Sequence, residues 1–398
     1  MIKALEVDNF KSLVNFLIDF HENNIIVGNN ATGKSSVLQA IDFLCNSVRE
    51  DFGIILERRG WKIDNIKSKL TSPQNSRIRF KMSLALEVEG QAKNFIWKMI
   101  LNVNKGKNVI LLHSESVIVE GETVLFYDYG KEGFLKYKDE HQVSTPLPKA
   151  MVLSSSVMKT VKESEEISEE LKALIQFLEK SNSFELLSPD QMRLSSRGNT
   201  ETIGMSGKDL PSFIKTMNDG QKTSFMKKIR EILGDRIQEV NAETKGKPGW
   251  TQINIKEKFG NHCMTVTSKE MSDGMLRLLA FIAISEIQSS EAVMLLDEVE
   301  NGINADYAES LIKIMLRMYS EKRHQLIMTT HSTVFLDYID AKDIIFLYRD
   351  NEGRTKAVHL LEDDYFKEKL EYMWPGEIFL NMSQNELVEK ALKIQGGI

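Results

Sequence analysis

The run Gly28-Asn29-Asn30-Ala31-Thr32-Gly33-Lys34-Ser35, with Ser36 behind it, stands between an apolar stretch, Ile25-Ile26-Val27, and a segment whose apolar residues recur at Val37, Leu38, Ile41 and Leu44. Those flanks predict a strand before the run and a helix after it. Between them the glycines let the backbone curl until successive N–H groups face one anion, and the helix N-terminus adds its dipole. In such a loop Lys34 reaches the β- and γ-phosphates of a nucleotide as a point charge, and Ser35 offers its hydroxyl to Mg²⁺. A glycine-rich turn with no ligand is the plainer alternative, and the strand–loop–helix context counts against it. The chemistry implied is nucleotide binding, which leaves open what the nucleotide is for.

Three segments far downstream supply more of a site. Ala292-Val293-Met294-Leu295-Leu296-Asp297-Glu298 is a continuous apolar run ending in two acids, as expected of a strand buried on both faces of a parallel sheet. Carboxylates at the mouth of such a strand are costly unless they serve an ion or a reaction. Asp297 suits the Mg²⁺ shell, and Glu298 suits polarising an attacking water. Gln325 to Ser332 reads as a second buried strand ending in a polar turn, from which His331 could reach the γ-phosphate or that water. A strand-end histidine taken alone is more often structural. Met271-Ser272-Asp273-Gly274 opens a very apolar helix, where Ser272 can cap and Gly274 permits close approach to an anion. A plain N-cap on a core helix is equally good chemistry there.

The order GNNATGKS, MSDGMLRLL, AVMLLDEVE and TTHST resembles the ABC-type ATPases of the SMC/RecF branch, and most closely the compact AAA-ATPase-like proteins related to the ATPase half of OLD nucleases. Leu5 to Ser12 looks like that group's first strand and turn, and Leu187-Ser188-Pro189 to Arg193 matches more weakly. The resemblance implies two protomers sandwiching two ATP molecules, with Mg²⁺ at each site. Ser272, Asp273 and Gly274 of one copy would then act in trans on the nucleotide held by Gly33, Lys34 and Ser35 of the other. Lys11 would reach a phosphate, as a basic residue does in relatives. Two departures stand out: the signature lacks the glutamine of transporters, and Asn304 falls where a D-loop aspartate is usual.

The elements that must position these residues read as an α/β, ABC-type P-loop NTPase head with an inserted antiparallel β-meander lobe and a helical segment. The expected core is discontinuous, 1–45 and 250–350, with a β-rich insertion at 46–150, a helical and irregular insertion at 151–249, and a C-terminal tail with a terminal helix at 351–398. Period-two alternation at Arg77–Leu84, Asn94–Ile100 and Glu120–Phe126 supports the meander, with turns at Glu89-Gly90, Lys105-Gly106 and Gly130. No heptad pattern persists long enough for a coiled-coil arm.

Composition is that of an ordinary globular chain, 42% hydrophobic and 27% charged, with no apolar run near the roughly 18 residues needed to span a bilayer. No membrane association is expected. Cys45 and Cys263 form no disulfide framework or zinc spacing, and the N-terminus does not read as a secretory signal, so cytoplasm is the expected location. A net charge of −6 excludes a globally basic nucleic-acid binder. Local basic patches remain: Arg58, Arg59, Lys62, Lys67 and Lys69; Lys222, Lys227, Lys228 and Arg230; Lys245 and Lys247. Each reads first as a solvated face and second as a DNA-facing surface.

The expected function is an ATP-hydrolysing switch that dimerises around ATP in a nucleic-acid-linked process, by family analogy a prokaryotic anti-phage or anti-plasmid defence. Too few residues follow His331 for an appended Toprim nuclease, so a nuclease or toxin effector would be a separate partner. A RecF-like repair ATPase is the alternative. A transporter subunit fits poorly with the β-rich insertion, and a non-hydrolysing scaffold has no need of Glu298.

Overall fold

The computed structural model describes residues 1–398 except 105, 107, 132, 136–144, 148–151, 165–166, 187, 245–248, 290 and 397–398. The chain opens with β1 (Ile2–Asp8), β2 (Phe16–Asp19) and β3 (Asn23–Val27), then passes through the glycine loop into α1 (Lys34–Ser47), α2 (Phe52–Arg58) and α3 (Ile63–Ile66). Strands β4 (Arg77–Val88), β5 (Gln91–Asn104), β6 (Val109–Val119), β7 (Glu122–Asp128), β8 (Gly133–Leu135) and β9 (Thr145–Leu147) follow. Next come α4 (Val157–Val161), α5 (Glu169–Lys180), β10 (Asn182–Phe184), α6 (Pro189–Arg193), β11 (Ser196–Arg197), α7 (Leu210–Thr216) and α8 (Asp219–Leu233). Strands β12 (Ile237–Thr244), β13 (Trp250–Phe259) and β14 (His262–Thr267) lead to α9 (Asp273–Ile284), β15 (Ala292–Leu296), α10 (Ala308–Lys322), β16 (His324–Thr329) and α11 (Thr333–Leu336). The chain closes with β17 (Ile344–Arg349), β18 (Thr355–Val358), α12 (Asp364–Leu370), α13 (Pro375–Asn381) and α14 (Gln384–Ile394).

Three sheets result. The central one has the order β10-β15-β16-β3-β17-β18, parallel except for the β17–β18 hairpin. Its inner strand β15 is buried on both faces, which is why Ala292–Leu296 reads as an unbroken apolar run. Val293, Leu295, Ile327 and Ile345 point into one hydrophobic core, while Met294, Leu296, Leu326 and Phe346 point into a second. An eight-stranded antiparallel sheet, β2-β1-β4-β5-β6-β7-β8-β9, lies over the first core. The buried Gln325 of β16 ties the two sheets together: its Oε1 accepts the Ile2 N–H at 2.7 Å and its Nε2 donates to the Ile2 carbonyl at 2.8 Å. A small sheet, β11-β13-β12 with β14 on β13, belongs to the second core with α7, α8 and α9.

This is the expected α/β head with an antiparallel meander and a helical segment, but the chain is divided differently from the boundaries expected of it. β1 and β2 leave the 1–45 core for the meander sheet; β1 alternates buried and exposed residues, as a strand with one wet face does. β10, expected in the 151–249 insertion, forms the edge of the central sheet beside β15. Residues 250–267 are antiparallel hairpin and not parallel core. The expected tail is packed: Phe366, Ile378, Leu387 and Ala391 are buried in the second core. Among the described residues no helix is long and apolar enough to cross a membrane.

Candidate functional site

β3 is buried, so it cannot bend until Gly28, where φ is +149°. A β-carbon there would stand 2.2 Å from the Leu347 carbonyl oxygen of β17, so the first glycine is required by close approach as well as by torsion. Gly33, at φ +108°, faces Thr355 and Ser12 just as tightly. Thr32 closes the loop on itself, its N–H and hydroxyl both meeting the Asn29 carbonyl. Lys34 begins α1 and folds back, donating to the carbonyls of Gly28 at 2.8 Å and Asn29 at 3.0 Å. Burial lowers its pKa, while Asp297, Glu298 and Glu300 pull it back up, in that order. A cation held among carboxylates and backbone oxygens is poised to exchange them for phosphate oxygens.

The loop opens on a cavity of about 310 Å³ lined by Lys11, Ser12, Asn30, Ala31, Gly33, Lys34, Ser35, Ser36, Glu298, His331 and Arg349. Five segments separated in sequence therefore meet here. Parallel pairing of β15 with β16, and of β16 with β3, brings the acid pair and the histidine turn beside the glycine loop. Asp297 is 9% exposed and sits behind the cavity, its Oδ1 accepting the Thr329 hydroxyl at 2.5 Å. The same hydroxyl oxygen accepts the Glu298 N–H at 2.8 Å. Glu298 turns the chain out of the sheet at φ +50°, a left-handed conformation that a non-glycine residue holds only when its surroundings enforce it. The Ser35 hydroxyl and the Asp297 carboxylate are hard oxygen donors, a set that fits Mg²⁺ completed by phosphate and water.

Lys11 also reaches the cavity, at φ +50°. Its ammonium lies 3.7 Å from the centre of the Trp61 ring and donates to Gln39 at 2.5 Å. Burial, followed by repulsion from Arg59, lowers its pKa to about 8. Behind Trp61, Arg59 is buried against Asp42 and Glu185, so it is an internal ion pair and not part of a DNA-facing patch.

Ser272, Asp273 and Gly274 do not line this cavity. Ser272 caps α9, accepting the Met275 N–H at 3.3 Å, and Asp273 pairs with Arg193, which also donates to the Met271 carbonyl. Gly274 lets the loop after Glu298 come close: a β-carbon would stand 2.6 Å from the Gly302 carbonyl oxygen. Asn304, at the D-loop position, caps a short turn through the Asp306 N–H at 3.2 Å.

Several expected features fall differently. Lys228 is turned inward, donating to Glu286 at 2.7 Å and to Ser285 at 2.9 Å, so it leaves the basic patch of its helix. Lys67 is buried on the carbonyls of Ser72 and Pro73. Leu187, Lys245 and Lys247 lie outside the described residues. Sequence reasoning missed Ser12, Arg349 and Thr355. Arg349 donates twice to the Ala31 carbonyl, at 2.9 and 2.7 Å, and Thr355 donates to the Thr32 carbonyl at 2.7 Å. The β17–β18 hairpin thus braces the phosphate loop from outside, with no local motif to announce it.

Glycine loop, acid-tipped strand and histidine turn on one parallel sheet, with an antiparallel sheet laid over it, give the chain the fold of a P-loop head. A solved SMC head bound to the C-terminal winged-helix domain of ScpA shares this fold, with a TM-score of 0.50 at 15% identity over 90% of this chain and 96% of that one. The chain belongs to the family described as "AAA domain, putative AbiEii toxin, Type IV TA system", whose model matches residues 24–145 and 178–337. It is similar to a Helicobacter pylori protein named ATP/GTP phosphatase, 23% identical over 403 residues, spanning 95% of this chain and 99% of the relative. A shorter likeness, 48% identity over 44 residues, links 11% of the chain to 12% of the Lactococcus lactis DNA replication and repair protein RecF.

Proposed function

We propose that this protein is an ATP-hydrolysing switch whose active site is completed by a second copy of itself. The observation that carries the reading is the cavity that joins Lys34, Ser35, Glu298 and His331 while leaving out Ser272 to Gly274. Lys34 and the loop amides hold the β- and γ-phosphates, Ser35 and Asp297 hold Mg²⁺, and Glu298 polarises the attacking water. His331 contacts the γ-phosphate, and the signature turn of a partner copy closes the site from outside.

The Helicobacter relative's name supports nucleotide hydrolysis, with GTP as a further candidate substrate. The family's description, with its toxin and toxin–antitoxin system, supports a role in prokaryotic defence; the OLD-like kinship, a separate nuclease or toxin effector and a cytoplasmic location are carried by the resemblance of the sequence motifs alone. The RecF likeness favours a second reading, a DNA repair ATPase differing in partner and not in chemistry. The test is the mass of the Glu298→Gln protein in solution with and without Mg²⁺-ATP. An ATP-dependent dimer or larger assembly that Lys34→Ala abolishes is expected; a monomer under both conditions overturns the sandwich.

A further inference from the structure

Two residues past the acid pair stands Glu300, a third carboxylate to which the chemistry above gives no part. Strand pairing of β15 with β16 ends at Leu296 and Met328, so the residues that face the cavity lie beyond the last ladder bond and need another support. Side chains provide it. Thr329 binds Asp297 and the Glu298 N–H through one hydroxyl, and its carbonyl accepts the Val299 N–H at 3.3 Å. Glu300 takes over where Thr329 stops: its Oε2 accepts the Thr330 hydroxyl at 2.8 Å and its Oε1 accepts the His331 backbone N–H at 2.6 Å. The Thr330 oxygen in turn accepts the Ser332 N–H at 3.1 Å, carrying the same support into the start of α11. One carboxylate therefore grips two consecutive residues of the histidine turn. Its own backbone leaves the sheet through the left-handed Glu298.

We propose that Glu300 is a positioning residue for nucleotide hydrolysis, fixing the main chain of His331 relative to Glu298 so that side chains from two adjacent strands address one phosphate. This rests on the hydrolytic reading of the site. A misplacement of about 1 Å in such a pair is enough to slow a reaction by roughly a hundredfold, without any change in what the residues are.

The test measures Mg²⁺-ATP turnover by the full chain and by Glu300→Ala, Glu300→Gln, His331→Ala and the double variant Glu300→Ala/His331→Ala. Glu300→Ala is expected to lower kcat roughly tenfold to a hundredfold and leave KM within about threefold. Glu300→Gln should recover most of the rate, because its amide oxygen can accept the His331 N–H while its NH₂ donates to the Thr330 oxygen. The double variant should be no slower than His331→Ala alone. A Gln variant as slow as the Ala variant would make Glu300 a proton-transfer group, and an undiminished loss in the His331→Ala background would detach it from the histidine; either result overturns the proposal. Hydrogen exchange of residues 329–332 without nucleotide reads the clamp independently of turnover. It should quicken in Glu300→Ala and not in Glu300→Gln, and unchanged exchange in the Ala variant also overturns it. A wild-type protein that turns over no nucleotide refutes the hydrolytic reading itself, and the catalytic role of Glu300 falls with it.

Discussion

Lys11 shows how much a single side chain can be tuned by its place in the fold. Its ammonium rests on the Trp61 ring, faces Arg59 across it, and lies at the cavity beside the glycine loop. Burial and that like charge bring its pKa to about 8, so the charged form is costly in the folded protein and a phosphate group would relieve the cost. The sign follows. Below pH 8 Lys11 is charged and available to the nucleotide; above it a proton must be taken up on binding, so affinity falls as pH rises. From pH 7 to pH 9 the Kd for ATP, followed by titration calorimetry, is expected to rise roughly fivefold to tenfold. Lys11→Met should bind more weakly at pH 7 and lose most of that slope; a slope that survives the substitution assigns the titration elsewhere. Lys11 was legible in the sequence only through its place after the first strand. Arg349 and Thr355, whose hydrogen bonds brace the same loop, were not legible, because the pairing that brings them there connects strands more than three hundred residues apart and leaves no spacing to read.

At the scale of elements, local periodicity told the truth wherever a strand or helix answers to its own burial. The glycine loop's flanks and the acid-tipped strand are of this kind, since a strand buried on both faces is apolar throughout. Which sheet a strand joins is a different matter. β1 falls within the expected 1–45 core yet joins the antiparallel sheet, and its alternation of buried and exposed residues matches a sheet with a wet face. The joint between the antiparallel sheet and the helical segment was invisible, for it depends on one buried acid. Glu115 of β6, 1% exposed, accepts the Trp97 indole N–H at 2.8 Å, the Ser156 hydroxyl at 2.6 Å and the Val157 N–H at 2.6 Å at the start of α4. Burial raises its pKa to about 7 against the pull of those three donors. Between pH 4.5 and 7 the folded protein therefore retains a proton that the unfolded chain has lost, and stability contributed by this group falls as pH rises through that window. The fall is of order 3 kcal/mol. Denaturant midpoints from pH 4.5 to 7.5 should show it, and Glu115→Gln should flatten the dependence while lowering stability overall, because its NH₂ meets the Val157 N–H donor to donor.

At the scale of the whole molecule, the four motifs readable in the sequence separate into two groups. Lys34, Glu298 and His331 meet in one cavity, whereas Ser272 to Gly274 lie outside it, against the loop at Gly302. That separation is a fact of topology that spacing along the chain could not reveal, since Ser272 is nearer in sequence to Glu298 than Lys34 is. It makes a sharp demand of the proposed switch. If each site joins the phosphate loop of one copy to the signature turn of another, then two inactive chains with damage in different motifs should repair each other. Lys34→Ala removes phosphate binding and keeps the signature; Gly274→Ala keeps phosphate binding and, with its added carbon pressed against the Gly302 carbonyl, spoils the signature. Each alone should be inactive. Mixed in equal amounts, half the dimers combine one of each, and one of the two composite sites in such a dimer is intact, so ATPase activity should recover to about a quarter of wild type. Activity that stays at the level of the separate variants, with mixed dimers shown to form by native mass measurement, would mean that each chain works alone. Recovery that appears only at protein concentrations where dimers form would tie hydrolysis to assembly and make ATP the signal that two copies have met.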